Sequence, residues 1–120
     1  MTTNDVLLYS TALTWLMIMT ASLLHGKGNV RLGISNRDDM PERSPLAARA
    51  DRAAKNMLEN MVLFVALIVA TSSNPERSAL GPQIFFFARL AYWPTYLAGI
   101  KYVRSALWAI AIAGLVLMIV

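Results

Sequence analysis

The sequence predicts an all-α integral membrane protein folded as a four-helix bundle. Three observations lead there. The 120 residues are 57% hydrophobic, with a mean hydropathy of +0.50. Their apolar residues gather into four runs, and the basic residues crowd between the runs. The expected helices cover about 6–24, 45–71, 79–99 and 103–120, in a single domain spanning 1–120. Each apolar run approaches the ~20 residues that cross a hydrocarbon core ~30 Å thick. Four crossings put both termini on one side of the bilayer.

The formal net charge of +4 raises the question of nucleic acid, and the placement of the cations answers it. Lys27, Arg31, Arg37, Arg43, Arg49, Arg52 and Lys55 lie in or beside the first connection, Lys101 and Arg104 lie in the third, and the second has only Arg77. Basic residues are retained on the cytoplasmic side, so connections one and three are expected in the cytoplasm and the termini outside. A solvated topological signal accounts for the basicity without a phosphate-binding surface, and no nucleic-acid partner is expected. The chain has no cysteine, hence no disulfide and no nucleophilic thiol of its own. Its one histidine, His25, has no second His or Cys near it, so no metal site is expected.

Helix one lacks a basic leader and carries Asn4 and Asp5 instead, which sets it apart from a cleaved signal peptide. No charged side chain interrupts Val6 to Leu24. The run His25, Gly26, Lys27, Gly28 should end it, with glycines permitting the turn and cations favoured near a helix C-terminus. The polar connection from Asn29 to Ser44 is expected to fold over the cytoplasmic mouth of the bundle.

Ser44 followed by Pro45 reads as the N-cap and first residue of helix two. At ~100° per residue, Arg49, Arg52, Asn56, Glu59, Asn60 and Leu63 fall on one stripe that runs into an apolar helix. A charged side chain at mid-bilayer costs about 2.5 to 3.5 kcal/mol on insertion scales, so this stripe should face protein or water. Counted inward from Thr71 at ~1.5 Å per residue, Glu59 lies about 18 Å deep and Arg52 about 28 Å. The polar stripe therefore leads from the cytosol into the membrane.

Asn74 with Pro75 should break helix two, and Gly81 with Pro82 should mark entry to helix three. Arg89, Tyr92, Tyr96 and Gly99 then follow at spacings of three, four and three, which puts them on one face. Counted from Leu80, Tyr92 lies about 18 Å deep, the level of Glu59, so a bonded group of Arg89, Glu59 and Tyr92 is an expectation. Pro94 lies inside this helix and should kink it. Arg104 opens helix four, whose remainder reads as plain apolar packing.

The cytoplasmic half of the bundle can thus gather Arg31, Arg49, Arg52, Asn56, Glu59, Tyr92, Tyr96 and Arg104. Arginines bind carboxylates in pairs of hydrogen bonds, Glu accepts from an ammonium, Asn reads amides and tyrosines donate or stack. That set suits a small peptide-like anion with one amine. No nucleophilic triad, His or Cys cluster or glycine-rich phosphate loop is present, so reactivity would come with the ligand. A bound thiol is the economical choice, because an adjacent arginine lowers its pKa and raises the thiolate fraction.

The run RADRAAKNMLENMVLF, with Arg52, Asn56 and Glu59, followed by ARLAYWPTYLAGIKYVRSALW, with Tyr92, Tyr96 and Arg104, resembles the MAPEG family of membrane-associated proteins in eicosanoid and glutathione metabolism. The resemblance spans roughly Arg31 to Trp108, and the loop NRDDMP is similar to that of bacterial members. It implies a homotrimer in a bacterial inner membrane, with glutathione as co-substrate between subunits and lipophilic electrophiles entering from the lipid bilayer. It implies that Arg52, Asn56, Glu59, Tyr92 and Tyr96 hold glutathione, joined by Arg31, which matches by spacing alone. Arg104 would activate the thiol. Asn60 stands where some eicosanoid enzymes of the family have tyrosine.

The function so implied is a glutathione-dependent transferase or peroxidase. A non-catalytic MAPEG-like scaffold binding lipid or glutathione is the alternative. A small multidrug exporter also matches in length and span count, but that mechanism needs an isolated carboxylate in helix one.

Overall fold

The computed structural model describes residues 1–74 and 78–120. The expected break at Pro75 and the second connection's cation, Arg77, lie outside the described residues. Among the described residues there is no strand; the elements are α1 (Thr3–His25), α2 (Val30–Ile34), α3 (Pro45–Thr71), α4 (Leu80–Leu97) and α5 (Lys101–Ile119). The longest dimension is 51 Å, enough to pass through a hydrocarbon core.

α1 starts with a capping box: the Asp5 amide donates to Thr2 Oγ1 at 3.1 Å, and the Thr2 amide donates to the Asp5 carboxylate at 2.9 Å. Two otherwise orphaned N–H groups are satisfied this way. Val6, Ser10, Leu13, Thr14, Met17 and Ala21 are buried, at spacings of three and four that define one helix face. The helix ends at Gly26, and Lys27 and Gly28 take positive φ, 54° and 81°. For Gly28 that conformation carries no Cβ penalty.

The first connection contains α2, a five-residue helix that the polar composition of this stretch does not suggest. Asn29 caps it, accepting from the Arg31 amide at 3.0 Å. Two long-range bonds tie the connection down. His25 Nε2 lies 3.1 Å from the Pro41 carbonyl, and Arg37 donates from Nη2 to Ser22 Oγ at 3.3 Å.

α3 begins as its sequence indicates, with the Ser44 hydroxyl accepting from the Ala47 amide at 3.1 Å and Pro45 in the first turn. Its buried face runs Ala47, Ala50, Ala53, Ala54, Met57, Asn60, Met61 and Phe64. The small residues bring neighbouring backbones close at the N-terminal end of α3, and the larger ones fill the bundle farther along. There Phe64 meets Phe85 of α4, ring centroids 4.4 Å apart.

α4 is continuous through Pro94 to Leu97. It packs most extensively against α5, and α1 packs against α3. α4 and α5 cross with no room between backbones: a Cβ built on Gly114 would lie 2.7 Å from the Gly81 carbonyl oxygen and 2.8 Å from the Phe85 nitrogen. Gly99, at φ 77°, turns the chain into α5.

α1, α3 and α5 are long and apolar enough to cross a membrane. α4 falls outside that group because its 18 residues include Gln83, Arg89, Tyr92, Pro94, Thr95 and Tyr96. Of the four apolar runs expected to cross, three meet the requirement on their own composition. Of the polar residues of α4, Arg89, Tyr92 and Tyr96 are buried in the bundle, whereas Gln83 and Thr95 are half-buried.

Candidate functional site

The polar residues of α3, α4 and α5 form one connected ladder. Arg52 on α3 donates from Nε to the Tyr96 hydroxyl at 3.2 Å. The guanidinium carbon of Arg104, from the first turn of α5, sits 4.7 Å from the centroid of the same tyrosine ring. Tyr96 meets Tyr92 edge-on with centroids 5.4 Å apart, and the Arg89 guanidinium carbon lies over the Tyr92 ring at 4.1 Å. Arg89 Nη1 then donates to Asn56 Oδ1 at 2.8 Å, closing the path back to α3.

The local sequence explains the placement. Tyr92 and Tyr96 are separated by four residues and Arg89 precedes Tyr92 by three, so the three share the face of α4 that meets α3. Arg52 and Asn56 are likewise one turn apart on α3. The guanidinium faces engage tyrosine rings through cation–π attraction, which strengthens where water is excluded. Tyr92 and Tyr96 are 4% and 9% exposed, so both contacts are largely dry.

Of the residues singled out in sequence, the ladder joins Arg52, Asn56, Tyr92, Tyr96 and Arg104. Glu59 is exposed on the outer flank of α3, one turn beyond Asn56, and Arg31 is exposed on α2. Neither bonds a ladder residue through its side chain among the described residues. The expected group of Arg89, Glu59 and Tyr92 is replaced by one in which Asn56 takes the carboxylate's place. The reason is register. Depth counted from Thr71 and Leu80 treats the two helices as starting level, whereas Arg52–Tyr96 and Asn56–Arg89 set a register displaced by about one turn.

The stripe on α3 is also divided. Asn60 is buried, Arg49 and Asn56 are half-buried, and Arg52, Glu59 and Leu63 are exposed. It lies along the edge of the buried face rather than at its centre. Arg49 has a structural role: its Nε donates to the Leu97 carbonyl at 3.0 Å, satisfying an orphaned group at the end of α4. Arg89 and Asn60, which the sequence puts on the polar faces of the two helices but not among the ligand-holding residues, both belong to the polar group. The three-residue spacing of Arg89 from Tyr92 is the signal available for the first.

Among the described residues, salt bridges join Asp51 to Arg43 and Lys55, at 3.9 and 3.0 Å, and include none of the ladder arginines. Three guanidinium groups therefore converge on two tyrosines without a bonded carboxylate. The chemistry of that donor set fits an anionic ligand. A cavity of about 720 Å³ lies at the opposite end of the bundle between Thr2, Thr71, Gly81 and Met118, and none of the described residues lining it has a charged side chain. A second, apolar groove of about 430 Å³ runs between α4 and α5, lined by Ile84, Phe87, Leu107 and Ile110. Leu107 is one turn along α5 from Arg104. The first cavity is the larger of these two, whereas the three guanidinium groups lie at the ladder.

The helices and the buried polar ladder define an integral membrane protein with a cationic, tyrosine-lined polar group inside its helical bundle. The sequence profile of the MAPEG family matches residues 6–120, nearly the whole chain, and the protein belongs to that family. Comparison with curated proteins and with solved structures finds no match.

Proposed function

We propose that this protein is a glutathione-dependent transferase or peroxidase that acts on lipophilic electrophiles. The observation that carries the reading is the convergence of Arg52, Arg89 and Arg104 on Tyr92 and Tyr96 with no carboxylate bonded to them among the described residues. Membership of a family associated with glutathione supplies the ligand class. Arg52, Asn56, Glu59, Tyr92 and Tyr96 hold glutathione in this proposal, with Arg31 contributing from α2.

The chain's part in the reaction is electrostatic. Arg104 faces the tyrosine pair and favours the thiolate over the thiol of a ligand bound beside it. The thiolate sulfur attacks an electrophilic carbon, forming a C–S bond as the bond to the leaving group breaks. With a chloronitrobenzene the leaving group is chloride, and the thiol proton passes to water. The apolar groove between α4 and α5 offers a lipophilic substrate a surface reached from the bilayer.

The same proposal includes a homotrimer of four-span subunits. Glu59 is exposed on a helix long and apolar enough to span the membrane. Facing lipid there would be costly, so a neighbouring subunit or a water-filled seam should cover it. Glutathione held at that seam brings Glu59 and Arg31 to the site that one chain leaves incomplete.

Purified protein in detergent should conjugate chloronitrobenzene only when glutathione is supplied. Glutathione binding without turnover of any electrophile or hydroperoxide would leave a binding protein and reject the enzymatic reading. Orientation is testable because the chain has no cysteine of its own. With the connection between α1 and α3 inside, a membrane-impermeant maleimide should label Thr2→Cys in intact cells and spare Ser35→Cys until the cells are opened. Equal labelling of both before lysis would overturn the assigned orientation.

A further inference from the structure

Among the described residues Arg89 is the largest fully buried side chain, and no carboxylate there is bonded to it. Its Nη1 donates to Asn56 Oδ1 at 2.8 Å and its Nε donates to Met57 Sδ at 3.2 Å. Its Nη2 is buried without a hydrogen-bond partner. Burying a guanidinium this way is unfavourable for stability, because an apolar residue of similar volume would lose no hydration. A role beyond packing is needed to account for it.

Asn56 shows what that role is. Its Oδ1 accepts a second hydrogen bond, from Nδ2 of the buried Asn60 at 3.2 Å. A carboxamide oxygen has two lone pairs, and these two donors use both. Turning the Asn56 amide over would set its NH2 against the guanidinium N–H, donor against donor. The network therefore fixes one orientation, and no hydrogen bond among the described residues uses the remaining group, Asn56 Nδ2.

We propose that Arg89 is a positioning residue which, with Asn60, locks Asn56 as a hydrogen-bond donor, so that this position selects a carboxylate oxygen on the ligand and rejects an ammonium. The ligand half of this inference rests on glutathione being bound beside Asn56; the lock itself does not. A free asparagine could turn to suit either kind of partner. Held by a cation, it reads only one.

The lock is tested first without ligand, on protein labelled with 15N-asparagine and reconstituted in nanodiscs. The Asn56 side-chain amide pair, assigned by its loss in Asn56→Asp, should be slow to exchange with water in the wild type. In Arg89→Met it should move to the shifts and exchange rate of an exposed asparagine, with Asn60→Ala producing a smaller change. An unmoved pair in Arg89→Met overturns the lock. If that variant does not fold, Arg89→Lys, which keeps the charge but loses the planar fork, should move the pair partway, and an unmoved pair there overturns the lock equally.

Calorimetry then compares glutathione with its two monoamides. Wild-type protein should bind one monoamide roughly tenfold more weakly than glutathione, the scale of one hydrogen bond to a charged group. Arg89→Met should erase that discrimination, whereas loss of scaffolding alone would weaken all three ligands equally and count against selection by Asn56. An amide pair that responds as described in a protein that binds none of the three would uphold the lock and reject the glutathione reading.

Discussion

Arg104→Ala is expected to lower the rate of glutathione conjugation about tenfold at pH 7 and to leave it nearly unchanged above about pH 9.5. An unperturbed thiol ionises near pH ~8.5, and a neighbouring guanidinium that lowers this by about one unit gives several times more thiolate at neutral pH. Removing the cation raises the thiol pKa. The deficit is therefore full below the wild-type pKa, shrinks as pH rises through the two values, and vanishes when both forms are ionised.

The pH profile separates this role from a structural one. Arg104 also packs over Tyr96, so its loss could disturb the tyrosine ring directly. A deficit from misplacement would persist at high pH. Arg104→Lys restores the charge without the planar stacking surface, and should recover most of the neutral-pH rate if thiol ionisation is what Arg104 supplies. A flat deficit across pH, with no recovery in Arg104→Lys, would remove Arg104 from the chemistry.

Gly114→Val is expected to destabilise the protein by about 3 kcal/mol, the upper end of overpacking penalties, measured as a fall in thermal or denaturant midpoint in detergent. A Cβ at this position meets the Gly81 carbonyl oxygen at 2.7 Å and the Phe85 nitrogen at 2.8 Å. Both are backbone atoms, so α4 and α5 must separate to admit it. The reciprocal change, Gly81→Ala, meets the Gly114 carbonyl oxygen at 2.7 Å and should act through the same crossing. Gly33→Ala is the control, since its added Cβ meets nothing within 4 Å. Replacing glycine inside a helix ordinarily stabilises it by roughly 0.5 to 1 kcal/mol, so a loss at Gly114 would oppose propensity. Equal midpoints for Gly114→Val and wild type would contradict the close crossing.

Separation of α4 from α5 also carries a functional consequence. Tyr92 and Tyr96 reside on α4 and Arg104 on α5, with the aromatic contact between Tyr96 and Arg104 spanning the two helices. Any folded protein that Gly114→Val yields should therefore show a weakened Arg104 effect.

Much of the candidate site was legible along the chain because helical spacing is local. Arg52 with Asn56, and Arg89 with Tyr92 and Tyr96, occupy shared faces by arithmetic alone. The partners across helices were not legible in the same way. Asn56 and Glu59 are three residues apart and both compatible with facing α4; the register between α3 and α4 brings Asn56 to Arg89 and leaves Glu59 on the flank. Gly114 lies in a run that reads as featureless apolar packing, and nothing local distinguishes a glycine at a helix crossing from one facing lipid.

The sequence by itself determined the membrane class, the Ser44–Pro45 start of α3, the tyrosine face of α4 and the family. Each depends on composition, periodicity or a motif within a single segment. The tertiary structure alone decided that Arg89 is buried over Tyr92, that Asn56 rather than Glu59 receives it, and that α4 and α5 touch at two glycines. Those depend on the sliding and rotation of one helix against another, which packing fixes between residues distant in the chain and which the spacing within either helix does not constrain.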